Sequence, residues 1–192
     1  MSQANELVTT LLPVVAAFNR LRIPFYVGGS IASSYHGAIR STMDIDIVSE
    51  LQLQHVDEFL SQFSQDFYVS ETAVRQAIAR RSCFNLINFG TSLKVDIFVS
   101  RGRMFDRACM LRAETARMEW ENGTIDVPIA TVEDIIISKL EWYRLTDETS
   151  ERQWDDVNRL IRLVGRTLDR GYLEDSAKMV GVSDLLDRLL RP

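Results

Sequence analysis

Asp44 and Asp46 alternate with apolar residues in the run Met43-Asp44-Ile45-Asp46-Ile47-Val48. Alternation with period two marks a β-strand, and carboxylates at i and i+2 share one face, roughly 6–7 Å apart. That face is either plain solvent-exposed strand or a site. Paired hard oxygen ligands suit Mg2+, which usually keeps waters and substrate phosphates in its shell. Asp96 lies in a second apolar run, Leu93-Lys94-Val95-Asp96-Ile97-Phe98-Val99, and is the sole acidic residue between Glu71 and Asp106. A carboxylate in so apolar a strand must be paired, ligated or at the sheet face. If the two strands are neighbours, three carboxylates converge, the arrangement that two-metal phosphoryl or nucleotidyl transfer uses.

Gly28-Gly29-Ser30 follows the short apolar run Phe25-Tyr26-Val27. Adjacent glycines at a strand end permit a sharp turn with positive φ and let backbone N–H groups approach a phosphate. The start of a following helix adds the positive end of its dipole, and Ser30 either caps that helix or donates to a phosphate oxygen. A tight turn without ligand explains the same three residues. Arg40 and Thr42, just before the Asp44 strand, read equally as phosphate contacts and as turn residues. His36 reads as a helix-end residue beside Gly37. Lys139 has Ile135, Trp142 and Tyr143 as helical neighbours, so it either snorkels to water or reaches a buried anion. No Ser-His-Asp or Cys-His pattern is legible, so acyl transfer has no support.

These residues need elements to hold them. Helical spacing covers 4–21, with Pro13 a kink or late start and Pro24 an end. Strand 25–27, the glycine turn, a short helix at 31–36 and strand 43–48 follow. Next come a helix at 52–63, strands near 67–70, 84–89 and 93–99, and a helix near 71–80. The segment 101–117 holds Arg101, Arg103, Arg107, Arg112 and Arg117. With Arg75, Arg80 and Arg81 it forms either a basic rim for RNA phosphates or solvated faces. Strands near 117–121 and 124–129 lead into helices at 131–145, 150–165, 169–179 and 182–190. Ser150 and Gln153 have the spacing of a capping box. The division falls near residue 130: a mixed core over 1–130 and a helical segment over 131–192 packed on it, or else the two make one single domain, since the apolar faces of the helices must pack on something.

The chain has 192 residues, 46% hydrophobic and 26% charged, with a net charge of −5. Disorder and bulk salt-driven nucleic-acid binding are thereby disfavoured. Cys83 and Cys109 lack zinc or redox spacing and suggest a reducing compartment. No targeting signal or membrane span is legible, so the expected location is the cytoplasm.

Tyr26-Val27-Gly28-Gly29-Ser30, thirteen further residues, Asp44-Ile45-Asp46 and later Val95-Asp96-Ile97-Phe98 together resemble the nucleotidyltransferase superfamily of polymerase-β type. Tyr35-His36-Gly37, Arg40-Ser41-Thr42, Glu133-Asp134 and Ser150-Glu151-Arg152-Gln153-Trp154 look most like its small bacterial AbiEii and MenT-type toxins. The resemblance implies an α+β fold, a mixed β-sheet flanked by helices with a C-terminal helical segment. It implies transfer of a nucleoside monophosphate from an NTP, with Mg2+ or Mn2+ held by Asp44, Asp46 and Asp96. Gly28, Gly29, Ser30, Arg40, Thr42, Lys139 and Asp156 would hold the nucleotide. The family pattern Lys-Asp-x-x-Asp is altered here, since Gln153 stands where its first Asp would be. The acceptor would be tRNA or other RNA, a protein or a small molecule such as an aminoglycoside, and a cognate toxin or antitoxin partner is implied. The alternative is a catalytically inactive binding module of the same fold, such as an antitoxin or regulatory partner. A monomer or a homodimer fits equally, with Trp142, Tyr143 and Trp154 as candidate anchors for the latter.

Overall fold

In the computed structural model the described residues are 3–38, 44–63, 65–120 and 123–191. Arg40 and Thr42 lie outside them. Helix α1 (Gln3–Leu21) contains Pro13 without ending there, and buries Leu11, Val14, Val15 and Phe18. β1 (Phe25–Val27) is buried throughout and runs into α2 (Gly29–Tyr35). β2 (Asp44–Ser49) follows, then a 3-10 turn (Leu53–His55) and α3 (Val56–Ser61) where one helix over 52–63 was expected. β3 (Phe67–Val69) and α4 (Glu71–Arg80) fall where the sequence places them. Ser70 caps α4 through its Oγ, which accepts from the Ala73 N–H, and Arg81 stops it in the left-handed region.

β4 (Cys83–Asn88) and β5 (Lys94–Val99) come next. The arginine-rich segment contains a helix the sequence did not announce, α5 (Met104–Arg112). Its pattern is weak because only Phe105 and Cys109 are buried in it. β6 (Glu114–Trp120) and β7 (Gly123–Ile129) form an antiparallel pair, and four helices complete the chain: α6 (Val132–Leu145), α7 (Glu151–Val164), α8 (Arg170–Val180) and α9 (Ser183–Leu190). Among the described residues no helix is long and apolar enough to cross a membrane.

The strands make one sheet in the order β3-β4-β5-β2-β1-β7-β6. It is mixed: β2/β5 and β1/β7 are parallel, and the remaining pairs antiparallel. Strand alternation divides its faces. Ile45, Ile47, Phe84, Leu86, Val95 and Ile97 are buried, while Asp44, Asp46, Lys94 and Asp96 take the other parity. Aromatic packing ties helices to the sheet: Phe18 stacks on Phe25 at 4.9 Å between ring centres, and Phe59 meets Phe18 at 5.3 Å and Phe84 at 6.1 Å. Two of the candidate dimer anchors are used internally, with Tyr143 against Trp154 at 5.1 Å and Arg188 over the Trp154 ring at 4.6 Å.

The C-terminal helices are fastened by a buried polar network. Asp134 is 1% exposed and accepts a 2.6 Å hydrogen bond from the Tyr172 hydroxyl. Burial pushes its carboxyl up, opposed by that bond and by the Thr131 and Arg112 contacts. Arg112 reaches from α5 to Glu133 at 3.2 Å, and its guanidinium lies 3.8 Å from the centre of the Tyr172 ring. Glu133 in turn accepts from the Asp169 backbone N–H at 3.0 Å, so three helices meet here. Tyr172→Phe leaves a buried carboxylate oxygen without its donor and is expected to cost about 1–3 kcal/mol. A thermal melt checks this, and triphosphate binding should be unchanged in the same variant.

Candidate active site

The β2–β5 register brings the carboxylates together. Asp46 stands directly opposite Asp96, and Asp44 directly opposite Lys94. Parallel neighbours carry side chains of matching parity on the same face, so Asp44, Asp46 and Asp96 share one face of the sheet. The neighbour on the other side of Asp96 is Asn85 of β4. Asp46 is pushed up from the ordinary carboxylate range, first by burial and then by the Asp96 charge, while Lys139 and Lys94 act the other way. The same crowding acts on Cys83, whose thiol is pushed up to about 12 by burial and then by Asp96 and Asp46. Cys83 therefore stays a thiol at neutral pH and supplies no thiolate nucleophile.

The two glycines have different duties. Gly28 has φ −116°, its N–H donates to the Asp46 carbonyl at 2.9 Å, and an added Cβ would meet only Tyr26 at 3.9 Å. Its amide is thus spent on the turn rather than left for a ligand. Gly29 has φ +55°, and a Cβ there would lie 1.8 Å from Asp46 Oδ2. The bare backbone of Gly29 is what lets the α2 turn close over the Asp46 carboxylate. Ser30 is buried in the first turn of α2, and the Ser33 hydroxyl donates to the Gly29 carbonyl at 2.9 Å. His36 ends this helix with Nε2 donating to the Ala130 carbonyl at 2.8 Å, a structural tie to the strand end beyond β7.

Lys139 comes from α6, whose start is fixed by the Thr131 hydroxyl accepting from the Asp134 N–H. Its Nζ donates to Asp156 Oδ2 at 2.8 Å and to Gln153 Oε1 at 3.4 Å, both on α7. Gln153 thus joins the lysine although it departs from the family pattern. The expected capping box does not form: the Gln153 N–H donates to the Ser150 carbonyl at 3.0 Å and not to its hydroxyl, and the Gln153 side chain is turned to Lys139. Asp155 is exposed while Asp156 is partly buried. The Lys139 charge also opposes the upward push of burial on the Asp46 carboxyl.

Sequence reasoning missed Lys94. Its Nζ lies 2.8 Å from Asp96 Oδ2 and 3.6 Å from Asp44 Oδ1. The available signal was its position two residues before Asp96 on the same strand. Several of the arginines read as a rim or as solvated faces pair with carboxylates of the chain. Arg101 and Arg103 pair with Glu141, Arg112 with Glu133, Arg117 with Asp126, and Arg75 with Asp57 and Glu71.

The donor set has the chemistry of a hard divalent cation: carboxylate oxygens on one face, with mutual repulsion that such an ion would relieve. Among the described residues no three His, Cys, Asp or Glu side chains are already gathered as a metal cage.

No protein-family model and no curated protein matches the sequence. Solved structures do match. An antigenic nucleotidyltransferase-like protein from Paracoccidioides brasiliensis is 16% identical, with a TM-score of 0.51 over 98% of this chain and 93% of that one. The solution structure of the antibiotic-resistance factor ANT(2'')-Ia is 15% identical, with a TM-score of 0.51 over 97% of each chain. Its crystal structure with adenylyl-2''-tobramycin is 13% identical, with a TM-score of 0.53 over 94% of this chain and 98% of that one. At such identities the likeness is one of architecture: the chain has the α+β, nucleotidyltransferase-like fold.

Proposed function

We propose that the chain is a metal-dependent nucleotidyltransferase that moves a nucleoside monophosphate from an NTP to an acceptor hydroxyl. The observation that carries this reading is the register pairing of Asp46 with Asp96, with Gly29 closed over the Asp46 carboxylate. Asp44, Asp46 and Asp96 would hold Mg2+ or Mn2+. When bound, such ions neutralise phosphate charge and favour the ionised acceptor hydroxyl. The chain's own residues do the rest. Gly29 and Ser30, at the start of α2 beside the Asp46 carboxylate, would lie against the triphosphate. Lys139, held by Asp156 and Gln153, supplies fixed positive charge for the triphosphate. In the transfer the acceptor oxygen bonds to the α-phosphorus as the bond to the pyrophosphate oxygen breaks, and the hydroxyl proton passes to a carboxylate of the cluster.

The arginines of 101–117 are largely committed to internal carboxylates, which favours a small hydroxyl-bearing acceptor over an RNA backbone. The adenylyl-2''-tobramycin bound by ANT(2'')-Ia fits that choice.

Calorimetry with each NTP and Mg2+ tests the reading. Micromolar binding of one triphosphate, lost in Asp44→Ala/Asp46→Ala, is the expected result. A folded protein that binds none would shift the reading to a catalytically inactive module. Lys139→Met is expected to weaken triphosphate binding by roughly 10- to 100-fold, since it removes a charge-assisted contact.

A further inference from the structure

We propose that Lys94 is an internal counter-ion that occupies the carboxylate cluster until a divalent cation arrives, and is then displaced by it. The inference rests on the metal-dependent reading of the site and goes on to say what governs entry of the ion. Lys94 faces Asp44 across the strand pair and shares a face with Asp96 on its own strand. Its ammonium bridges the two, at 2.8 Å from Asp96 Oδ2 and 3.6 Å from Asp44 Oδ1. An ion bound by these carboxylates and the Lys94 ammonium cannot share the space between them.

The two lysines of the site differ in how firmly they are held. Lys139 and Asp156 have side chains 9% and 16% exposed, and Gln153 adds a further acceptor. Lys94, at 39% exposed, bridges Asp44, at 45% and near water, and Asp96, at 17%. A solvated ion pair adds little net stability and exchanges readily, whereas a desolvated, hydrogen-bonded one does not. A divalent cation carries twice the charge and prefers carboxylate oxygens, so it wins at the wetter position. On its other flank Lys94 has Ile87 opposite it, and beyond Ile87 is Tyr68, so those strand partners supply no competing carboxylate. The lysine thus lowers repulsion among three carboxylates in the free protein and sets a threshold that the cation must exceed.

Mn2+ binding to the full chain, followed by the loss of the free-ion EPR signal, tests this without any turnover. Lys94→Gln is expected to bind Mn2+ roughly five- to tenfold more tightly than the native chain, because the competing charge is gone. Lys94→Arg, which keeps the charge, should bind within about twofold of the native chain. Asp46→Asn should bind far more weakly. Thermal melts give a second readout: without metal Lys94→Gln should melt below the native chain, and Mg2+ should raise its Tm by more. Equal or weaker Mn2+ binding by Lys94→Gln, with Asp46→Asn still defective, overturns the role of Lys94 alone. No Mn2+ binding by any variant overturns the metal-dependent reading and the counter-ion role with it.

Discussion

Asp46→Asn is expected to abolish transfer while making the protein more stable. On the proposed reading the activity loss should be on the order of 10^3-fold or more, about 4 kcal/mol of transition-state stabilisation, because a metal ligand and its charge would be removed together. The stability gain follows from the raised position of the Asp46 carboxyl, caused first by burial and then by Asp96. A raised carboxyl means that the folded state binds the proton more tightly than the unfolded chain does. Its contribution therefore falls as pH rises from the ordinary value of 3.8 through the raised one, and the penalty persists at neutral pH. Asparagine never ionises and escapes that penalty. The variant should gain about 1 kcal/mol at neutral pH, on the order of 2–4 °C in Tm for a chain of this size. Melting both proteins across the acidic range checks the sign: the difference should widen as pH rises through the window and then level off. A variant that melts lower at neutral pH would show that Asp46 is held by favourable contacts rather than by function.

Gly29→Ala is expected to damage both stability and chemistry. At φ +55° a side chain carries the left-handed penalty of about 1–2 kcal/mol. A Cβ would also meet Asp46 at 1.8 Å from Oδ2 and 2.6 Å from Cγ, so the carboxylate must move or the turn must open. The combined cost should be roughly 2–4 kcal/mol, on the order of 5–15 °C in Tm. On the proposed reading, moving the Asp46 carboxylate by about 1 Å should lower kcat by roughly 10^2-fold or more. Gly28→Ala is the control, with ordinary φ and only a 3.9 Å contact, and should cost under about 1 kcal/mol. Much of the clash is with the Asp46 carboxylate, so the Gly29→Ala penalty should shrink in an Asp46→Ala background. A double-mutant cycle measures that coupling, and strict additivity would place the cost elsewhere.

Much of the site is legible in the chain because strand periodicity is local. Asp44 and Asp46 share a face by alternation alone, and Asp96 is conspicuous as a lone carboxylate among apolar residues. The helix carrying Lys139 follows from helical spacing in the same way. Other features are not local. Gly28 and Gly29 are the same residue type in adjacent positions, and only the path of β2 beneath the turn makes one dispensable and the other not. α5 escaped notice because two buried residues in a polar, arginine-rich stretch give no clear period. The Ser150–Gln153 spacing satisfied a local rule, yet Gln153 was drawn to a lysine 14 residues away in sequence.

The sequence by itself determined which residues could do chemistry and which elements carry them, since side-chain type, strand parity and helix period are properties of short segments. The tertiary structure decided which of them meet. The pairing of Asp46 with Asp96, the closing of Gly29 over Asp46 and the bridging of two carboxylates by Lys94 each depend on strand order and register. Register is fixed by how the whole apolar face of the sheet packs, with Ile45, Ile47, Val95 and Ile97 buried together. A one-residue slip of β5 would bury Asp96 and expose that face, so the core that selects the fold also assembles the carboxylates.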